Sequence, residues 1–175
     1  MSENIKFEES GMNFVAHPQE QLFRIEKSKL YLDQLAPNKV KTVEFLLYKM
    51  NKLLFVEAKT STPNYHNCAD SYEKKENYER FIGSIAQKFT DSISLYMSAV
   101  IGRQDNSEFP TKMLESSVSK TEIRLIVIIK EADLASCTHY TDKLRTVLHA
   151  NTKIWSNCTL LCLNEEMARK KKLII

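Results

Sequence analysis

Two acids and a lysine stand where their neighbours are apolar. Glu57, Ala58 and Lys59 end the run LLFVEAK that starts at Leu53, and Glu44 lies between Val43 and Phe45 in the run before it. On a strand, residues two apart share a face, so Glu57 and Lys59 project together with Phe55 and Leu53 while Ala58 points away. A carboxylate and an ammonium carried along an apolar face are costly to desolvate unless they are paired or bind a metal. If Val40–Tyr48 and Leu53–Thr60 pair as a hairpin about Met50-Asn51, Glu44 falls opposite residues 57–58. Two carboxylates then meet across the strands, an arrangement that is unfavourable alone and sensible around a divalent cation. Mg²⁺, with Mn²⁺ as its substitute, takes oxygen ligands and keeps several waters, so Glu44, Glu57 and the Ala58 backbone carbonyl suffice. Lys59 is then placed to orient or deprotonate an attacking water, or to offset charge on a phosphodiester under attack. The competing reading is a cross-strand ion pair at the rim of a sheet. A bare Glu-x-Lys carries little weight, since it recurs at Glu73-Lys74-Lys75 in a solvated run of charge.

The elements that must position these residues follow from hydrophobic spacing. His17-Pro18 breaks the chain, and Leu22, Ile25, Leu32 and Leu35 predict a helix from Gln19 to about Leu35, stopped by Pro37-Asn38. The two apolar runs have the length and the Val, Phe, Thr and Tyr content of strands. A polar loop over residues 61–76 leads into a long helix from about Glu76, where Tyr78, Ile82, Ile85, Phe89, Ile93 and Tyr96 keep three-and-four spacing. Gly102 is its natural stop. Ile123–Ile129 reads as a central strand buried on both faces, Tyr140–Ala150 as an amphipathic helix and Thr159–Leu163 as a last short strand. The snippets Ile5/Phe7 and Met12/Phe14/Val15 predict an edge strand or a strap on the core. The expected whole is one α/β domain over residues 1–175, with a core from about 18 to 163 and a charged C-terminal tail over 164–175.

This pattern resembles the PD-(D/E)xK nuclease superfamily, whose hallmark is an acid in one strand and an acid-x-Lys on the next, here Glu44 and Glu57-Ala58-Lys59. The order of elements is similar to its restriction-endonuclease-like αβββαβ sandwich, a central mixed sheet flanked by helices. The resemblance implies Mg²⁺-dependent hydrolysis of nucleic-acid phosphodiesters, most often DNA. It also implies an acid on the helix before the sheet, for which Glu26 is the better candidate, and a Gln or Lys on the helix after the motif, where Gln87-Lys88 lies. The first-strand acid departs from the family in being Glu rather than Asp, with no Pro before it. A catalytically degenerate member that acts as a nucleic-acid-binding or assembly subunit is therefore the alternative.

Composition bounds the rest. At 175 residues, with 43% hydrophobic and 27% charged side chains, the chain is an ordinary globular domain rather than a disordered one. A net charge of +3 is compatible with a DNA partner without requiring one. Lys74 and Lys75, beside the motif, and the tail Arg169–Lys172 would add salt-dependent, sequence-independent grip on phosphates. The charged N-terminus MSENIKFEES is no signal peptide and no apolar stretch spans a bilayer, so a cytoplasmic protein with reduced thiols is expected. Cys158 and Cys162, roughly 13 Å apart on a strand, are too distant to share an ion. Cys137 with His139 imitates a nucleophile and base but lacks a clear orienting acid. No DNA-reading motif is visible, so specificity would come from dimerisation or a partner subunit, or be absent.

Overall fold

The two apolar runs around the acids do pair. The computed structural model of the protein, which describes residues 3–175, contains seven strands: β1 (Asn4–Glu9), β2 (Met12–Pro18), β3 (Leu22–Phe23), β4 (Phe45–Lys49), β5 (Lys52–Lys59), β6 (Glu122–Ile129) and β7 (Cys158–Asn164). Its α-helices are α1 (Tyr72–Val100), α2 (Thr111–Leu114), α3 (Leu134–Val147), α4 (His149–Ile154) and α5 (Glu165–Lys170). β1 and β2 form an antiparallel hairpin of their own, and the other five strands make one mixed sheet in the order β3-β4-β5-β6-β7. β4 runs against both its neighbours, whereas β5, β6 and β7 are parallel. The parallel pairs need crossover connections, which α1 supplies between β5 and β6 and α3 with α4 between β6 and β7.

Strand parity separates the sheet's two faces. The paired row Phe23, Leu46, Phe55, Leu125 and Leu160 packs against Ile85, Phe89 and Tyr96 of α1 and Tyr140 and Leu144 of α3. The next row, Phe45, Val56 and Ile126, faces the opposite way, onto Phe7 and Phe14 of the hairpin and onto Ala168, Leu173 and Ile174. β6 is buried on both faces, as its unbroken apolar run predicts. The molecule is thus an α/β protein with a five-stranded mixed sheet flanked by helices, one face also covered by a β-hairpin. Among the described residues no helix is long and apolar enough to cross a membrane.

The β4–β5 turn matches the hairpin expected at Met50-Asn51. Both residues are left-handed, at φ 53° and 57°, the backbone of a type I′ turn. α1 begins at Tyr72, four residues earlier than its apolar stripe indicates, because the Ser71 side chain accepts the Lys74 N–H as an N-cap. It stops as expected, with Gly102 at φ +71°.

Three expectations need correction. The helix expected over Tyr140–Ala150 starts six residues earlier, as α3, and gives way at Leu148 to the separate α4. No continuous helix covers Gln19–Leu35: the segment is a 3₁₀ turn (Gln19–Gln21), β3, a second 3₁₀ turn (Ile25–Lys27) and a π-helical turn (Leu30–Leu35). Leu22 and Phe23 are drawn onto the sheet edge beside Leu47 and Leu46, and they enter different cores, which no single helix face allows. Nor does the first central strand start at Val40. The Lys41 and Val43 N–H groups donate to Asp91 and to Ser92 Oγ of α1, so strand pairing begins only at Phe45. Residues 164–175 include α5 and then return to the hairpin, where Val15 N–H donates to Leu173 O and Ile175 N–H to Asn13 O.

Candidate functional site

Glu57 reaches its position through strand parity. It shares a face with Leu53 and Phe55, which form part of the core against α1, and its own side chain is fully buried. The pairing Phe45↔Val56 puts Glu44 one residue beyond the last strand pair, at the position opposite Glu57. The expected juxtaposition of Glu44 and Glu57 therefore holds, although Glu44 stands at the mouth of β4 rather than inside it.

A third carboxylate and a second ammonium complete the cluster. Lys88, on α1, places Nζ 2.9 Å from Glu57 Oε1, 2.9 Å from Glu26 Oε1 and 3.9 Å from Glu44 Oε1. Glu26 comes from the 3₁₀ turn Ile25–Lys27, so three separate segments aim acids at one point. Lys59, two residues past Glu57 and on its face, puts Nζ 2.6 Å from Glu57 Oε1. Glu57 Oε1 thus lies between both ammonium groups, in ion-pair contact with each. Lys88 donates to Glu57 Oε2, at 3.1 Å, and to Glu26.

Electrostatics at this point are crowded. Three carboxylates face two ammoniums, leaving one negative charge in excess when all are ionised. Burial, and then repulsion from Glu57 and Glu26, pushes Glu44 up to about 8, so the excess is relieved by a proton on Glu44. For Lys88 burial works against the charged form, but the Glu57 carboxylate and the bonds to Glu57 and Glu26 prevail and raise it.

The oxygen-only donor set, three carboxylates from separate segments, suits a hard divalent cation. As the side chains stand, however, no group of three or more His, Cys, Asp or Glu among the described residues is closed around a metal. The middle of the acidic trio holds the Lys88 ammonium. The Ala58 carbonyl accepts a 3.0 Å bond from Ser10 Oγ of the β1–β2 turn, which leaves one lone pair for any other partner. Glu44, Glu57 and Glu26 are the side chains that could hold such an ion, with Lys59 beside them.

Other sequence candidates lie elsewhere. Gln87 is exposed and donates to Asp91, pointing away from the cluster that its neighbour Lys88 joins. Lys74 pairs with Asp70 on the surface, and Lys75 is exposed next to it. Glu20 pairs with Lys112 and has no part in the cluster. Cys68, Cys137, Cys158 and Cys162 are all free thiols. Burial pushes the Cys137 thiol up to about 11, and His139 Nε2 is engaged at 2.6 Å with the Tyr78 hydroxyl, so the two form no nucleophile–base pair. Lys88, named with Gln87 through the family resemblance, is the one of that pair that reaches the acids. Its signal is a lysine three residues after Ile85 and four before the buried Ser92, on the stripe that faces β5.

Comparison of the chain with models of known protein families, with curated proteins and with solved structures finds no match in any of the three.

Proposed function

We propose that the protein is a divalent-metal-dependent nuclease of restriction-endonuclease-like fold, hydrolysing DNA phosphodiesters at Glu44, Glu57 and Lys59 with Glu26 in support. One observation carries this reading. Acids from three separate segments converge at the end of β5, beside a lysine on the same strand face, and the central carboxylate is fully buried. A fully buried carboxylate is expensive to keep, here offset by two lysines, and such a cost makes sense where a cation belongs. The succession of β3, β4 and β5, then α1, then β6 supports the reading, because an αβββαβ core needs three strands, a helix and a fourth strand in that order.

Mg²⁺ bound there would lower the pKa of a coordinated water and stabilise charge on the phosphate. The chain's own contribution is positional. Burial on the sheet face fixes Glu57, the Glu57 ion pair holds Lys59 at the site, and Lys59 remains one-third exposed, where a substrate phosphate can meet it. The test is nicking of supercoiled plasmid with Mg²⁺, Mn²⁺ or chelator. Metal-dependent cleavage is expected, with Glu57→Gln and Lys59→Met each reducing it by about 10²–10³-fold, the loss typical of a group that stabilises the transition state. Equal cleavage by Glu57→Gln, or cleavage indifferent to chelator, would remove the assignment.

The position of Lys88 favours a second reading. An ammonium at the centre of the acids neutralises them without a metal, as expected of a nuclease-fold protein that binds nucleic acid or a partner subunit but does not cut. DNA affinity that persists without divalent binding would select this second reading.

A further inference from the structure

We propose that Lys88 is a displaceable resident cation: it holds the carboxylate trio together before metal arrives and must withdraw for a divalent ion to enter, so it gates metal loading. The inference rests on the metal-site reading above. Among the described residues, Lys88 is the one cation that contacts all three acids, whereas Lys59 pairs with Glu57 alone. Its Nζ is 2.9 Å from oxygens of both Glu57 and Glu26. A Mg²⁺ bonded to those oxygens at roughly 2.1 Å would place two like charges in contact. Ammonium and metal are therefore mutually exclusive at this point. The side chain has a way out, being a four-carbon stem with 15% of its surface still exposed.

Occupancy by Lys88 reduces apparent metal affinity by the fraction of molecules in which the ammonium has left. Removing the ammonium should then strengthen metal binding, the opposite of what loss of a ligand or of a catalytic residue would do. It should also leave the acids more dependent on the metal for stability.

The experiment is calorimetric titration of Mn²⁺ into the wild type, Lys88→Met, Lys88→Arg and Glu57→Gln, with melting temperature recorded with and without Mn²⁺. Lys88→Met is expected to bind Mn²⁺ about tenfold or more tightly than the wild type and to gain more melting temperature from it. Lys88→Arg, which keeps the charge, is expected to stay close to the wild type. If Lys88→Met binds equally or more weakly while the wild type binds through Glu57, the gate is refuted and the metal site stands. If only Lys88→Met binds, and binding is lost on adding Glu57→Gln, the gate is upheld and the active-nuclease reading of the wild type falls. If no variant binds, both fall. Should Lys88→Met fail to fold, a Mn²⁺-soaked wild-type crystal decides. Lys88 Nζ displaced from Glu26 and Glu57 upholds the gate, and Mn²⁺ present with Nζ still in place overturns it.

Discussion

Glu44 and Glu57 face the same ammonium from different environments. Glu57 has two lysines within 3 Å, while Glu44 has only the long 3.9 Å approach of Lys88. Buried beside two other acids, Glu44 is raised from 4.5 to about 8. Between those values the folded protein holds a proton that the unfolded chain has lost, so stability from this group falls as pH rises and is lowest above about 8. Glu44→Gln removes that penalty. In metal-free buffer its melting temperature should exceed the wild type's, by a margin that widens as pH climbs through this window and then levels off. A margin independent of pH would mean that Glu44 is ionised throughout. Glu57 and Lys59 were legible in the sequence because strand parity tied them to Phe55 and Leu53. Lys88 was named only through the family resemblance, because by spacing alone a lysine at the edge of an amphipathic stripe looks like any snorkelling surface residue until the acid opposite it is known.

Elements with one strong local signal were read well, and those shaped by distant partners were not. α1, β6 and the β4–β5 turn carry their own spacing or turn chemistry. The segment 19–35 does not: its apolar residues answer to two cores and to a sheet edge, and Glu108, far along the chain, caps it by accepting from Lys29 and Leu30 N–H. The late start of β4 has the same origin, because Asp91 and Ser92 of α1 claim the backbone that would have extended the ladder. The turn also carries local strain. Met50 has φ 53° and is largely exposed, so its side chain offers little burial in return for a left-handed backbone. Asn tolerates that conformation and leads type I′ turns. Met50→Asn is expected to stabilise the protein by about 1 kcal/mol, the order of the left-handed penalty for an ordinary residue. Urea unfolding measures it, and an unchanged or lower midpoint would show that Met50 is not strained.

At the scale of the whole molecule, the face of the sheet opposite α1 is closed by both ends of the chain. The N-terminal snippets became β1 and β2, and what the sequence suggested was a charged tail also packs Leu173 and Ile174 into the same core. Ile174 bridges to Phe14, which stacks on Phe7 at 5.0 Å and meets Phe45 of β4 edge-on at 5.0 Å. At the other end of this hairpin, Ser10 and Gly11 form a tight turn with φ 52° and 69°. There Ser10 Oγ donates to Ala58 O, and Thr60 Oγ1 donates back to Ser10 O at 3.3 Å. The C-terminal residues thus hold the hairpin, and the hairpin tip holds the end of β5 behind Glu57 and Lys59. Ile174→Ala leaves a cavity against Phe14 and should cost about 2–4 kcal/mol. The loss should be uneven: amides of β1 and β2 should lose more exchange protection than those of α1 and α3, because their contacts depend on the strap. On the proposed metal site, Mn²⁺ affinity should fall with them, since the end of β5 loses its backing. Uniform loss of protection across both faces would instead mean that the hairpin and the main sheet unfold as one unit and that the strap has no separate hold on the site.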